Sequence, residues 1–136
     1  MQVEEKLIGN VLVVRLQNNY LDASVARPLK KRLHECTIDG CAKLVLDLEK
    51  VDFMDSSGLT VLISALKALR ENGGQLVLSG VGPELTSLFQ LTRLDKVLQV
   101  YANTGQAVRA LSLQAGINDE DINMPGPRRS GALTPE

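Results

Sequence analysis

Tryptophan is absent from this 136-residue chain, and its aromatic residues stop at two tyrosines and two phenylalanines. Tyr20, Phe53, Phe89 and Tyr101 are too few to build a platform on which nucleic-acid bases stack. Cysteine is equally sparse. Cys36 and Cys41 stand alone, and a disulfide framework needs more cysteines and an export signal, so they read as reduced thiols. A structural zinc site takes about four ligands. His34, the single histidine, and the two cysteines fall short of that, so no metal or other cofactor is expected. An excess of either charge is missing too: 15 basic residues face 16 acidic ones, for a formal charge of −1. Nothing in that balance draws the whole chain to nucleic acid or to an anionic membrane. No apolar run approaches the roughly 20 residues that cross a bilayer. The first residues, Met1 to Lys6, carry charge where a signal peptide needs an apolar stretch. The expectation is a cytoplasmic protein with no membrane and no direct nucleic-acid partner.

What is present is the composition of an ordinary globular domain, 44% apolar and 23% charged, long enough for one real core. Val3 to Ile8 and Val11 to Leu16 are apolar-rich and separated by Gly9-Asn10, a two-residue hairpin signal. Asp22-Ala23-Ser24 offers caps for a helix reaching about Cys36, with Ala26, Leu29, Leu33 and Cys36 on one face. Pro28 lacks an N–H and is comfortable only near a first turn, so this helix is expected to start late, around Ala26. Lys43 to Leu48 is a nearly continuous apolar run, typical of a buried parallel strand. A helix over Leu59 to Glu71 follows, its apolar face formed by Leu59, Leu62, Ile63, Leu66 and Leu69, and Asn72-Gly73-Gly74 stops it. Gln75 to Ser79 reads as a strand, Pro83 opens a short helix, Val97 to Tyr101 reads as a last strand, and Thr104 is the expected cap of a final helix ending at Gly116.

A hairpin followed by strand–helix alternation predicts an α/β fold. Its mixed sheet has about five strands, antiparallel at the hairpin edge and parallel elsewhere, with about four helices on right-handed crossovers. No internal repeat is found. Residues 1–116 form the expected domain. Residues 117–136 hold three of the five prolines and almost no apolar periodicity, and they read as a flexible C-terminal tail.

The segment richest in chemistry is Val51-Asp52-Phe53-Met54-Asp55-Ser56-Ser57-Gly58-Leu59, between a buried strand and an amphipathic helix. Asp55, Ser56 and Ser57 are all good N-cap types, and simple capping explains them from residue type alone. The string Asp52-Phe53-Met54-Asp55-Ser56-Ser57-Gly58-Leu59 nevertheless resembles the signature of the STAS family, in particular its bacterial anti-sigma factor antagonists. The likeness runs from about Val3 to Ala115. It includes Leu21-Asp22, Leu46-Asp47-Leu48, Gly73-Gly74-Gln75 and Pro83 to Phe89 in the right order. The chain departs from the family where Asn19-Tyr20 replaces a frequent Gly-Glu pair, and at Pro28.

The resemblance implies a STAS fold and a partner switch rather than an enzyme. The unphosphorylated protein would bind an ATP-binding anti-sigma serine kinase and free its sigma factor. Phosphorylation of Ser56 would end that binding, and a serine phosphatase would restore it. Asp22, Asp55, Ser57 and Gly58 would belong to the partner-binding surface, with the turn Gly80-Val81-Gly82 nearby. The alternative within the fold is a non-switching STAS scaffold or transport-accessory domain.

Other chemistries fit less well. A hydrolase built on Ser56 and His34 needs the imidazole within hydrogen-bond reach, and no Gly-x-Ser-x-Gly elbow is present. Gly80-Val81-Gly82 stops short of a nucleotide-binding fingerprint and has no Walker lysine. Lys30-Lys31-Arg32 reads as a solvated helix face.

Overall fold

Gly9 and Asn10 turn the chain between β1 (Val3–Ile8) and β2 (Val11–Leu16), which pair antiparallel with Ile8 opposite Val11 and Val3 opposite Leu16. The computed structural model describes residues 2–116. The tail expected over 117–136 lies outside the described residues. After the hairpin come β3 (Tyr20–Leu21), α1 (Ala23–Ile38), β4 (Lys43–Asp47), β5 (Phe53–Met54), α2 (Ser56–Glu71), β6 (Gln75–Ser79), α3 (Pro83–Leu91), a 3-10 turn (Leu94–Lys96), β7 (Val100–Tyr101) and α4 (Thr104–Gly116). The main sheet runs β1-β2-β4-β6-β7, parallel from β2 onward. Four helices and a mixed five-stranded sheet are as expected. β3 and β5 are not: they form a second, parallel sheet of two strands.

The sheet is buried on both faces, which is why β4 and β6 read as continuous apolar runs rather than alternating ones. On one face Val14, Leu16, Leu44, Leu46, Leu76 and Leu78 pack with Leu29 and Leu33 of α1, Leu62 and Leu66 of α2, and Leu85 and Phe89 of α3. Each fully buried leucine contributes about 1.5–3 kcal/mol of transfer free energy, so this cluster dominates stability. On the other face Val11, Val13, Val45 and Val77 meet Ala107, Val108 and Leu111 of α4 alone.

Four local expectations are corrected. α1 starts at Ala23 and not near Ala26, with Pro28 inside it. The Asp22 carboxylate satisfies the first N–H groups, and burial of Val25 and Ala26 outweighs the hydrogen bond that Pro28 cannot make. α2 likewise begins at Ser56 rather than Leu59. Its inward face comprises Gly58, Val61, Leu62, Ala65, Leu66 and Leu69, while Ile63 is 37% exposed and Leu59 half-buried, a stripe rotated toward α1. β7 starts at Val100, because the 3-10 turn and Val97 take up the residues before it. At α4 the cap is Asn103, whose Oδ1 accepts from the Gln106 N–H at 2.9 Å.

Thr104 is occupied otherwise. Its hydroxyl donates to Oδ2 of Asp47 at 2.9 Å and lies 3.0 Å from the Ser79 hydroxyl. Asp47 is 2% exposed and also accepts from Arg15 Nε at 2.9 Å and from the Glu49 N–H at 2.9 Å. A buried carboxylate is costly unless bonded on every side, and this one ties α4 to three strands. No helix among the described residues is long and apolar enough to cross a membrane.

Candidate partner-binding and phosphorylation site

β3 and β5 consist of two residues each, and each alternates. Tyr20 and Phe53 point outward, 60% and 48% exposed, while their successors Leu21 and Met54 are buried. The register sets Tyr20 beside Phe53 and Leu21 beside Met54. The Asp52 N–H donates to the Asn19 carbonyl at 2.7 Å and the Asp55 N–H to the Leu21 carbonyl at 3.2 Å, extending the stitch at both ends. Immediately after each strand comes an aspartate, and each aspartate caps a helix.

Asp22 accepts from the N–H groups of Ser24 at 3.0 Å and Val25 at 3.3 Å, and from the Ser24 hydroxyl at 2.6 Å. The Ser24 hydroxyl first, and those N–H groups with it, hold the Asp22 carboxyl below the usual carboxylate range. Asp55 accepts from the N–H groups of Ser57 at 2.9 Å and Gly58 at 3.3 Å. The parallel strands therefore start α1 and α2 side by side. Tyr20-Leu21-Asp22-Ala23-Ser24 and Phe53-Met54-Asp55-Ser56-Ser57 are one short pattern used twice, a repeat of five residues that the sequence reading did not register.

Within this frame Ser56 is the first residue of α2 and is exposed, as is Asp55. Ser57 and Asp22 are half-buried. Gly58 lies beneath the surface: a Cβ on it would come within 2.8 Å of both Cγ and the carbonyl oxygen of Leu21, and 3.0 Å of Met54 Cβ. Its contact is with the protein's own β3, so it seats α2 rather than facing solvent. Asp52 is exposed and receives the Asn19 side-chain amide at 3.5 Å.

The residues considered for other chemistry lie elsewhere. His34 is exposed and lines a groove between α1 and α2 with Lys30, Thr37 and Ser64. It sits three turns along α1 from the level of Ser56, about 16 Å at the rise of an α-helix. No transfer of a proton between the two is possible at that separation. Gly80 adopts a φ of +70° with Glu49 packed against it, and Gly82 precedes Pro83 at the start of α3, so turn geometry accounts for both glycines. Burial pushes both cysteine thiols up. Among the described residues no group of three or more His, Cys, Asp or Glu side chains is placed to hold a metal ion.

A family model described as the STAS domain matches residues 2–107. The chain belongs to the STAS domain family. Within it, this STAS domain has its kinship with the anti-sigma factor antagonists, a regulatory group. It is 30% identical over 114 residues to the anti-sigma F factor antagonist of Paenibacillus polymyxa, a match covering 83% of the chain and 97% of that protein. It superposes on the crystal structure of an anti-sigma factor antagonist from Mycobacterium paratuberculosis with a TM-score of 0.73 and 26% identity, over 82% of the chain and 93% of that structure. The Bacillus cell-fate determinant SpoIIAA, solved in its phosphorylated form, shares the fold at a TM-score of 0.65 and 20% identity, over 80% of the chain and 98% of that structure.

Proposed function

We propose that this STAS domain is a cytoplasmic anti-sigma factor antagonist that binds an anti-sigma serine kinase and is released by phosphorylation of Ser56. The observation carrying this reading is an exposed hydroxyl on the first residue of α2, beside a carboxylate that already caps the helix. Asp55 occupies the N–H groups of Ser57 and Gly58, so a phosphate on Ser56 has no need to reorganise the helix start. It still meets the positive end of the helix dipole, and the fold tolerates it.

The phosphate adds about −1.5 to −2 charge at neutral pH. To receive it, the Ser56 hydroxyl must face the phosphates of the kinase's nucleotide. Once modified, the same point sets a dianion against those phosphates, in a neighbourhood that already holds Asp22, Asp52 and Asp55. Like charges at an interface cost several kcal/mol, and about 3 kcal/mol weakens binding on the order of a hundredfold. The fold is kept and the partner is lost. A serine phosphatase resets the cycle.

On this reading Asp22, Asp55 and Ser57 belong to the docking surface, Gly58 supports it from below, and residues 1–116 suffice. The test uses a candidate anti-sigma serine kinase from the same organism. Incubation with ATP labels the wild type and Ser57→Ala but not Ser56→Ala, read by mass spectrometry. Calorimetry with the unmodified and phosphorylated proteins then gives affinities about a hundredfold apart. Equal affinities would favour the scaffold alternative.

A further inference from the structure

Half of the chain's aromatic residues are on its surface and in contact with each other. The rings of Tyr20 and Phe53 stand 6.0 Å apart between centroids at an interplanar angle of 61°, an edge-to-face pair. Phe89 is buried in the core and Tyr101 half-buried against the α4 face, so the other two aromatics serve packing. The exposed pair does not arise from a frayed loop. Each ring belongs to a strand whose next residue is fully buried, and each strand leads within two or three residues to Asp22 or to Asp55 and Ser56. The knob is thus held by both helix starts at once.

We propose that Tyr20 and Phe53 together form the apolar anchor of kinase docking, entering a hydrophobic pocket beside the nucleotide phosphates that Ser56 must reach. This rests on the function proposed above and names the residues that carry its affinity. Rigid aromatic side chains with few rotatable bonds dominate interface energetics when a pocket desolvates them, and acidic rims around them set orientation rather than strength. Here the rim is Asp22, Asp52 and Asp55, and it calls for hydrogen-bond donors or basic groups on the partner. A second copy of this chain fits poorly, because a two-fold contact through the knob would oppose those three aspartates to their own duplicates.

Titration of the kinase, loaded with ADP so that no transfer occurs, tests this against Tyr20→Ala, Phe53→Ala, the double variant, and Leu91→Ala. Leu91 is the control, an apolar side chain 82% exposed at the far end of α3. Tyr20→Ala and Phe53→Ala each lose on the order of tenfold to a hundredfold in affinity, at low and high salt alike. Their losses are not additive, since each removes part of one knob. Leu91→Ala binds as wild type, and all the variants stay cooperatively folded, the ring variants melting only a few degrees below wild type as the loss of an exposed aromatic pair dictates. In turnover with ATP, Phe53→Ala raises KM for Ser56 phosphorylation and leaves kcat unchanged.

If wild type binds the kinase and both alanine variants bind equally well, the anchor is wrong and the switch stands. If wild type neither binds nor is phosphorylated, the switch itself falls and the anchor with it. Sedimentation that shows a wild-type dimer dissolved by Tyr20→Ala would assign the knob to self-association and overturn the proposal.

Discussion

The first turns of α1 and α2 follow the same plan and differ at three positions, two in the residue and one in how the same serine is bonded. Both follow a two-residue strand, both are capped by an aspartate, and both run for 16 residues. At the first helical position α1 has Ala23 and α2 has Ser56. At the second, the Ser24 hydroxyl is bonded to its capping aspartate at 2.6 Å, whereas Asp55 takes only backbone donors in its turn. At the third, α1 buries Val25 while α2 has Gly58, pressed against Leu21 of the other unit. One copy is closed and self-satisfied; the other offers a hydroxyl to solvent and gives up a side chain to sit close. The two turns diverge through side chains, with the backbone left alone, and on the proposed function that divergence is what turns a structural cap into a modification site.

The third position gives the largest expected effect. Gly58→Val, which gives α2 the residue that α1 tolerates, drives a branched side chain into the Leu21 backbone. It destabilises by about 1–3 kcal/mol or more, read as a lower urea midpoint at unchanged m-value. Gly58→Ala goes the same way, although glycine to alanine in an unobstructed helix stabilises.

Next come the caps. Asp55→Ala loses about 1 kcal/mol, as removal of an N-cap does. Asp22→Ala also destabilises, by an amount that depends on pH. Because the folded state holds the Asp22 carboxyl below its ordinary value, the stabilisation it gives is complete above the unfolded pKa. It fades as pH falls through the lower, folded value. Melting curves of wild type and Asp22→Ala therefore converge on acidification below about pH 4. A gap that stayed constant down to the acid limit would show that Asp22 acts by shape alone.

The smallest effect is expected at Ser56. Ser56→Asp stays within about 0.5 kcal/mol of wild type in chemical unfolding, since a negative residue suits a helix start. A large loss there would mean that the two first turns are less alike than their backbones suggest.

Much of this was legible in the sequence. The hairpin at Gly9-Asn10, the apolar runs of β4 and β6, and the Asp-Ser-Ser-Gly string before α2 all carry local signals that tertiary packing reinforces. The misses have physical causes. β3 and β5 are too short to show a period of two, and their existence depends on pairing between residues 33 positions apart. The rotation of α2 depends on Gly58 approaching Leu21, a contact no helical wheel contains. Thr104 has a capping side chain, but the buried Asp47 competes for its hydroxyl and wins. In sequence Tyr20 stands only as a departure from a family pattern and Phe53 as one letter of a motif. The signal available was the pattern of aromatic, apolar, Asp, small, Ser, which occurs twice.

One feature of the sheet bears on how the protein behaves when crowded. Its two outer strands offer unpaired backbone groups, the usual template for chains that zip together into aggregates. β7 is only two residues long, too short to recruit a neighbour. β1 is longer, but Glu4-Glu5-Lys6 places three consecutive charges along it, and Arg32 of α1 reaches over to grip Glu5 with paired bonds of 2.5 and 2.6 Å. Edge-to-edge growth is blocked on one side by brevity and on the other by charge. The sheet's edges thereby offer no ready template to a second copy.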